Sequence, residues 1–190
     1  MKKRNNRGFT LVELLVVIAI IGILAVVAVP ALFKNIEKGK VSDLEADISA
    51  IRSAVLSYYS SNSEYPIDGE KSNPKPIKLE KDEVDISKTS REGTLEILEE
   101  LEGLSYPYGG KYELTKSGGS ENEVVKAPDT LYLKITTNDK NSTISENGIK
   151  KLAKDLGLNI LNETNHATST GLISKVGANK KQVIILPVIN

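Results

Sequence analysis

The chain has no cysteine and no tryptophan, and its single histidine is His166. Without cysteine it forms no disulfide, holds no thiolate-bound metal and has no thiol nucleophile. One histidine, without cysteines or a set of convergent carboxylates, does not make the usual zinc site. His166 lies in a segment rich in serine, threonine and asparagine, with no nucleophilic serine elbow around it. We therefore expect neither an enzyme nor a protein that needs a cofactor or a metal.

The chain also lacks an excess of either charge, with 25 basic and 25 acidic residues among 190. A protein that grips the phosphate backbone of nucleic acid normally carries a clear surplus of lysine and arginine. Nucleic acid is therefore not an expected partner. The 128 residues after position 62 are enough for one globular domain with its own core.

One long stretch has no polar side chain at all. Residues 14–33 are twenty consecutive uncharged, apolar positions, and at about 1.5 Å per residue a helix of that length covers the roughly 30 Å hydrocarbon core of a bilayer. The cations Lys2, Lys3, Arg4 and Arg7 precede it, and cations beside a first apolar helix tend to stay in the cytoplasm. The sequence therefore predicts a single membrane span with its N terminus inside and its C-terminal bulk outside.

A lone carboxylate, Glu13, lies in the first turn of this segment. A charge at the centre of a bilayer costs at least about 2.5 kcal/mol, and less towards the interface, so Glu13 either reaches the headgroups or needs a partner. A cut between Gly8 and Phe9 would place the new α-ammonium group of Phe9 four residues before Glu13, on the same helix face. That amine belongs to the same chain or to a neighbouring copy, and only in a neighbouring copy would the charge direct assembly.

Residues 8–14, GFTLVEL, followed by the apolar run, resemble the prepilin signature of type IV pilins and the related pseudopilins. The resemblance implies that a membrane prepilin peptidase cuts after Gly8 and methylates the amine of Phe9. It also implies that Glu13 pairs with Phe9 of the neighbouring subunit during docking. The assembly residues that follow from it are Phe9, Thr10, Glu13, Gly22 and Pro30.

The resemblance further implies a function and a set of partners. The expected protein is the major structural subunit of a type IV pilus, a helical homopolymer that serves adhesion, surface motility or biofilm formation. Its expected partners are further copies of itself, the prepilin peptidase, a cytoplasmic assembly ATPase and a polytopic inner-membrane platform protein. It is expected in the cell membrane before assembly and in an extracellular pilus afterwards.

Once the leader is removed, 21 basic and 25 acidic residues remain, so the mature chain has a formal charge of −4.

Many pilins of Gram-negative bacteria close their C-terminal region with a disulfide, and this chain departs from that pattern. It is more similar to the cysteine-less major pilins of clostridia and related Gram-positive bacteria, a likeness that includes KYELTK (111–116) and TTND (136–139). Two other interpretations stay open. A pseudopilin or minor pilin shares the same N-terminal signature, and an ordinary signal peptide cut before Leu32 would release a soluble binding domain.

Residues 34–62 are predicted to continue the helix as its amphipathic half. Apolar residues recur there at helical spacing, at Val41, Leu44, Ile48, Ile51, Val55 and Tyr58. The charged residues, Asp47 among them, are predicted to lie elsewhere around the helix. This apolar face either seeds a coiled coil with a second copy or packs on the chain's own head. We expect the second, because the strands that follow need a covering layer.

The predicted fold class is therefore α+β, with a long N-terminal helix packed on a small antiparallel β-sheet with short helices, as in the type IV pilin fold. Its expected divisions are a cleaved leader (1–8), the membrane and assembly half of the helix (9–33), the amphipathic half (34–62) and a globular head (63–190). Within the head, a connecting region (63–110) is expected to precede the sheet and a short helix (111–190).

Local patterns place the elements of the head. Residues 63–93 are predicted to be a connection that holds at most short strand-like or helical pieces. Residues 94–104 are predicted to form a short helix with leucines every third residue. Alternation predicts antiparallel strands at 111–116 and 130–137, and a helix over 145–156 is predicted to start at Ser145 and stop at Gly157.

The end of the chain is predicted to form a hairpin of strands 172–176 and 182–189. The second strand is nearly all apolar, so we expect it to be central and buried on both faces, with pairing that fails near Pro187. In a chain without disulfides, such a strand would fasten the C-terminal end.

Three further patterns carry little weight. The glutamates within 94–104 are interpreted as a solvated helix face rather than a metal site. Residues 138–146 offer several oxygens, but Ile144 and Lys150 stand where a calcium loop of the EF-hand type needs glycine and glutamate. The sequons at Asn141 and Asn162 predict exposed loops better than they predict glycosylation.

Overall fold

The structure is a computed structural model, and it describes residues 9–66, 68–70, 73–79, 97, 101, 103–116, 130–137, 143–160, 172–176 and 181–188. The chain divides into two compact units, Met1–Lys38 and Gly39–Asn190. Helix α1, Leu11–Asn62, runs from the first unit into the second. The long N-terminal helix that the sequence predicts is thus confirmed, and it begins two residues later than expected and ends at the expected residue.

In the first unit, the large apolar side chains of α1 are not covered by the chain itself. Their exposure ranges from 45% at Val17 to 86% at Leu11. By its length and composition, α1 could cross a membrane. So much exposed leucine, isoleucine and valine on one helix requires an environment other than water, because surface helices of soluble domains bury an apolar stripe.

The second unit is built on a six-stranded sheet in the order β3–β4–β5–β8–β7–β6. Neighbouring strands are antiparallel except β6 and β7, which are parallel. The strands are β3 (Ile77–Leu79), β4 (Lys111–Lys116), β5 (Leu131–Thr136), β6 (Asn159–Ile160), β7 (Leu172–Val176) and β8 (Lys181–Pro187). A separate hairpin pairs β1 (Asp68–Glu70) with β2 (Asn73–Lys75).

One face of this sheet packs on the second half of α1. Val41, Leu44, Ile48, Ile51 and Val55 are buried, and Tyr58 is partly buried against the same core. The sheet contributes alternate residues, among them Leu114, Leu133, Ile135, Ile184 and Leu186, as expected when successive side chains point to opposite faces. The prediction that the amphipathic half packs on the chain's own sheet is therefore confirmed.

Helix α2, Glu146–Leu156, packs on the same core. Its Ser145 Oγ accepts a hydrogen bond from the Gly148 amide, and Gly157 ends it in the left-handed conformation at φ 66°. Ile149, Leu152 and Ala153 are buried. Both boundaries agree with the sequence, because the capping signals act within a few residues of each end.

The connecting region contributes more to the sheet than its composition suggests. β3, from within 63–93, is an edge strand that pairs with β4 through Ile77–Leu114 and Leu79–Tyr112. Most of the predicted helix over 94–104 lies outside the described residues. Ile97 is helical and buried, and its carbonyl accepts a hydrogen bond from the Leu101 amide at 3.1 Å. The acidic residues of that segment, residues 138–142 and the asparagines of both sequons also lie outside the described part of the chain.

Strand β8 is central, as predicted, with β5 on one side and β7 on the other. Ile184 and Leu186 are fully buried on its inner face, whereas Val183 and Ile185 on the outer face are only half-buried. On the β5 side, the expectation that pairing fails near Pro187 is wrong. Pro187 pairs with Tyr132, and the Val188 amide still donates to the Leu131 carbonyl at 2.9 Å.

The reason is the alternation of backbone amides along a strand. Because the Val188 amide points to β5, the nitrogen of Pro187 points to the opposite side, where the last described register pair with β7 is Leu172–Ile185. Proline has no backbone N–H group, but an N–H group at position 187 would point away from β5. Pairing with β5 therefore does not need it. Arg52 of α1 covers this end of the strand by donating from Nη2 to the Pro187 carbonyl at 3.1 Å.

Gln182 at the start of β8 is polar and yet buried. Its side-chain amide accepts from the Ile144 amide at 2.7 Å and donates to the Ile144 carbonyl at 2.8 Å. Its own backbone exchanges hydrogen bonds with Thr137, which is also buried. Gln182 thus ties Ile144, two residues before α2, to the central strand.

We expect Gln182→Leu to destabilise the protein by about 2–4 kcal/mol, because both backbone groups of buried Ile144 lose their partner and each such group costs roughly 1–3 kcal/mol. Urea unfolding of the purified chain in detergent measures this. Asn147→Ala, an exposed position on α2, is the control and should leave the midpoint unchanged. A midpoint for Gln182→Leu equal to that of wild type would contradict the assignment.

The sequence prediction for Asp47 is also wrong, because this carboxylate is 5% exposed. Asp47 Oδ1 accepts from the Ser105 amide and the Ser105 hydroxyl at 2.9 and 3.1 Å, and Oδ2 accepts from the Tyr106 amide and the Tyr112 hydroxyl at 3.0 and 2.9 Å. Burial, together with the adjacent Asp47 charge, raises the pKa of Tyr112. Four donors replace the water that the carboxylate loses.

The segment that supplies these donors, residues 103–110, has an unusual backbone. Tyr106 has φ 46°, and Gly103, Gly109 and Gly110 also have positive φ. A tyrosine in the left-handed region is strained, typically by about 1–3 kcal/mol. The hydrogen bond from its amide to Asp47 and that from its hydroxyl to the Leu79 carbonyl at 3.0 Å hold it there. Asp47 therefore fixes this loop on α1.

Candidate functional site

The candidate site is the first turn of α1, where the sequence places its processing and assembly residues. Thr10 precedes the first helical residue, and the Leu14 amide donates to the Thr10 carbonyl at 3.2 Å. Thr10 is therefore the N-cap, and Glu13 is the third residue of the helix. Gly8 lies outside the described residues, and Phe9 directly before Thr10 is 85% exposed.

The side chains of Thr10 and Glu13 each accept a hydrogen bond from the backbone amide of the other residue. Glu13 Oε2 accepts from the Thr10 amide at 2.9 Å, and the Glu13 amide donates to Thr10 Oγ1 at 3.3 Å. The Thr10 hydroxyl also donates to Oε2 at 2.8 Å. This reciprocal pair is a capping box, which satisfies two of the amides that a helix start leaves without partners.

The capping box has a sequence signal, the spacing Thr-x-x-Glu before an apolar run, which the reasoning on charge alone missed. Because of the capping box, the Glu13 carboxylate already accepts hydrogen bonds from its own chain. It does not need a new terminal amine to supply its first donors. Both hydrogen bonds go to Oε2. Oε1 receives no donor from the described residues.

Gly22 and Pro30 lie farther along the same helix, which continues through both. A Cβ built on Gly22 meets nothing within 4 Å, so packing within the chain does not require glycine there. Pro30 has no amide to donate to the Val26 carbonyl. Both residues weaken the helix where the side chains of the neighbouring turns are exposed. Neither residue contacts the first turn.

The described residues hold no group of three or more histidine or acidic side chains that could bind a metal. The first turn itself offers a charged hydrogen-bond acceptor. It presents one negative carboxylate oxygen at the end of an apolar rod, beside an exposed phenylalanine. A positively charged group that approaches from a neighbouring chain would find a charge-assisted acceptor in surroundings with little competing water.

Two family models match the chain. The Prokaryotic N-terminal methylation motif matches residues 3–29, and the model described as PilW, C-terminal matches residues 35–125. The first covers the candidate site, including Phe9, Thr10, Glu13 and Gly22. The second begins just after the apolar run and extends across the amphipathic half of α1 into the head.

Known proteins resemble about a third of the chain. Type II secretion system core protein G of Klebsiella michiganensis is 46% identical over 66 residues, 35% of this chain and 46% of that protein. Type IV major pilin protein PilA of Myxococcus xanthus is 43% identical over 61 residues, 32% of this chain and 28% of that protein. The match thus spans less than half the length of either relative.

Among solved structures, the major type IV pilin PilA1 from Clostridium difficile is 25% identical to this chain. It aligns over 82% of this chain and 98% of its own length with a TM-score of 0.46.

Proposed function

Because this chain belongs to the type IV pilin-like proteins, the family that comprises pilins and pseudopilins, we propose that it is the major subunit of a type IV pilus. The observation that carries the proposal is the capping box at the start of a bare apolar helix. It orients Glu13 and leaves Oε1 open. The apolar side chains behind it are exposed, so they suit a lipid environment first and the core of a fibre later.

Processing supplies the cation that Oε1 receives. A prepilin peptidase would cut between Gly8 and Phe9 and methylate the new amine, which keeps its positive charge. The amine of one subunit then meets Glu13 of the next. The Glu13 carboxylate is already satisfied by Thr10 before the cut, so the uncleaved chain tolerates it in the first turn of the membrane helix. Cleavage therefore adds a bond between subunits, and it does not have to supply the first hydrogen-bond partner of Glu13.

The divisions of the chain follow from this role. Residues 1–8 are the cleaved leader, 9–33 the membrane and assembly half of α1, 34–62 the amphipathic half, and 63–190 the head. The helix crosses the membrane with its N terminus inside and the head outside. Gly22 and Pro30 are the positions at which the helix loosens in the fibre, because each removes helix stability without any packing contact within the chain to offset it.

The partners follow from the same scheme. Extraction of an apolar helix from lipid has no net hydrophobic driving force until copies pack together, so it requires external work. A cytoplasmic assembly ATPase and a membrane platform protein would perform it, and the extracellular fibre would serve adhesion, motility or biofilm formation. The chain's own role is structural and not catalytic.

A second candidate is a pseudopilin or a minor pilin. It is favoured by the 46% identity to a type II secretion system core protein over 66 residues. Family membership leaves no reason to propose an ordinary signal peptide that is cut before Leu32.

Fibres sheared from the producing cells test the proposal. We expect intact mass and N-terminal sequencing to give a chain that begins at N-methylated Phe9, and we expect this chain to be the dominant protein of the fibre. A mature protein that begins at Leu32 would refute the pilin assignment. A Phe9 start in a protein that is only a trace component of the fibre would support the minor pilin or pseudopilin instead.

A further inference from the structure

Two lysines follow the apolar run of α1 closely. Lys34 is the first residue after the run, Lys38 lies four residues later, and both side chains are exposed. Residues four apart lie on the same face of a helix, with Cβ atoms about 5–6 Å apart. Neither side chain forms a hydrogen bond or an ion pair with any residue that the structure describes. We call Lys34 and Lys38 the lysine pair.

The charges next to the lysine pair do not neutralise it. Residues 34–40 hold three lysines and one acid, Glu37, so their formal charge is +2. The third lysine, Lys40, is half-buried, and its Nζ lies 5.7 Å from the centre of the Tyr108 ring. In the proposed orientation the lysine pair lies on the outer side of the membrane, whereas lysine and arginine normally concentrate on the cytoplasmic side of a span. Two unpaired cations at this place therefore call for a partner.

The lysine pair lies at the depth of the lipid headgroups when residues 14–33 fill the hydrocarbon core. A bilayer has a core of about 30 Å and is about 40–45 Å thick with its headgroups, so each headgroup layer is about 5–7.5 Å deep. At about 1.5 Å per residue, Lys34 lies about 1.5 Å beyond Phe33 and Lys38 about 7.5 Å beyond it. A lysine stem lies along apolar surface while its ammonium group stays in the polar layer. Both ammonium groups therefore reach the phosphates.

We propose that the lysine pair binds the headgroup phosphate of an anionic phospholipid in the outer leaflet of the membrane. The inference rests on the proposed function, which places this end of the helix at the outer surface before assembly. An ammonium group and a phosphate oxygen form a charge-assisted hydrogen bond. Each lysine near an anionic lipid surface strengthens association about fivefold, so two together strengthen it about 30-fold. The lysine pair thus holds the outer end of the span at the headgroups.

A lipid is the occupant because charge and depth favour it over a second copy of the chain. Two copies side by side in a bilayer lie at the same depth, so each brings its own lysine pair next to that of the other, and like charges repel. The apolar run contains no acid, and Glu13 lies at its opposite end. An anionic headgroup lies at the right depth and has the opposite charge. Extraction into a fibre must break this contact, which adds to the external work that assembly requires.

Native mass spectrometry of the chain from the membranes of the producing cell tests the proposal. The chain in detergent is mixed with equal amounts of phosphatidylglycerol and phosphatidylcholine that have the same acyl chains. We expect Lys34→Gln combined with Lys38→Gln to lower the ratio of bound phosphatidylglycerol to bound phosphatidylcholine about 10- to 30-fold relative to wild type. Lys34→Arg combined with Lys38→Arg should keep the wild-type ratio, because arginine keeps the charge and binds phosphate.

The matched control removes the same charge from another helix. Lys150 and Lys154 are exposed lysines with the same spacing on α2. Lys150→Gln combined with Lys154→Gln should leave the lipid ratio as in wild type. Thermal unfolding of the variants at Lys34 and Lys38 should also match wild type, because both side chains are exposed. The same spectra give the intact mass of the chain, which shows independently whether it begins at Phe9.

The outcomes separate this inference from the function on which it rests. If the glutamine variant keeps the wild-type lipid ratio, the lipid assignment is wrong. A fall in its yield of sheared fibres at an unchanged ratio would show that the lysine pair meets carboxylates of neighbouring copies instead, and the pilin assignment would stand. If the ratio falls as expected but the intact mass excludes a chain that begins at Phe9, the lipid contact is supported and the proposed function fails.

Discussion

Glu13→Gln is expected to abolish most fibre formation while leaving the N-terminal helix intact. Glutamine keeps the side-chain oxygen that caps the Thr10 amide, since a capping box accepts either Glu or Gln. It removes the charge that the ammonium group of a neighbouring Phe9 would meet. A hydrogen bond to a charged group contributes about 1.5–3 kcal/mol, so its loss at each added subunit weakens docking roughly 10- to 150-fold.

The measurement is the amount of sheared fibre together with the N-terminal sequence of the membrane-bound pool. Glu13→Gln should be cut at Phe9 as in wild type and accumulate in the membrane. Asp43→Asn removes an exposed carboxylate from the same helix outside the apolar run and is the matched control, which should assemble normally. Normal fibre yield from Glu13→Gln with an unaltered Phe9 terminus would end the charge-directed docking model.

Thr10 separates orientation from charge in the same assay. Thr10→Ser keeps the hydroxyl that bonds to Oε2, whereas Thr10→Val keeps the shape and removes it. We expect Thr10→Ser to assemble as wild type and Thr10→Val to fall between wild type and Glu13→Gln, because its Glu13 keeps the charge and loses one of the two bonds that orient it. Equal yields from all three Thr10 forms would show that the capping box does not matter for docking.

Asp47→Ala is expected to destabilise the second unit by about 3–5 kcal/mol. The substitution leaves donors from Ser105, Tyr106 and Tyr112 without an acceptor, and each buried donor without a partner costs roughly 1–3 kcal/mol. It also frees the strained left-handed backbone at Tyr106, which offsets part of the loss. For a chain of this size, a loss of 3–5 kcal/mol lowers Tm by about 6–20 °C.

Thermal unfolding followed by circular dichroism gives the comparison. Asp43→Ala, an exposed acidic position on the same helix, is the matched control and should unfold with wild type. Tyr112→Phe removes a single donor from the same cluster and should cost about 1 kcal/mol. An Asp47→Ala protein as stable as Asp43→Ala would mean that water replaces the carboxylate and that the loop is not held through Asp47.

The elements that the sequence predicted well are those whose signals are local. KYELTK alternates over its whole length and forms β4, and Ser145 and Gly157 mark both ends of α2. The apolar residues from Val41 to Val55 predicted the buried face of α1, because residues that recur with a period of about 3.6 lie on one face of a helix.

The missed features depend on residues distant in sequence. Asp47 looked like any other acid on the wet side of an amphipathic helix, and its burial follows from donors 58 to 65 positions later. Gln182 looked like the polar start of an apolar strand, and its role depends on Ile144. No sequence pattern within one or two helical turns or strand residues of Asp47 or Gln182 indicates these distant hydrogen-bond partners. The capping box at Thr10 and Glu13 is different, because its signal was local and only the emphasis on charge hid it.

The two outermost strands of the large sheet, β3 and β6, have three and two residues. In a polymer, the heads of many identical chains are held side by side at very high local concentration, where a long open strand would invite its copies to join into a continuous ribbon. Edges of the length described here offer few backbone groups for such strand addition. In a fibre of this chain, we therefore expect crowded heads to stay individually folded, without a cross-β assembly that competes with the helix-driven one.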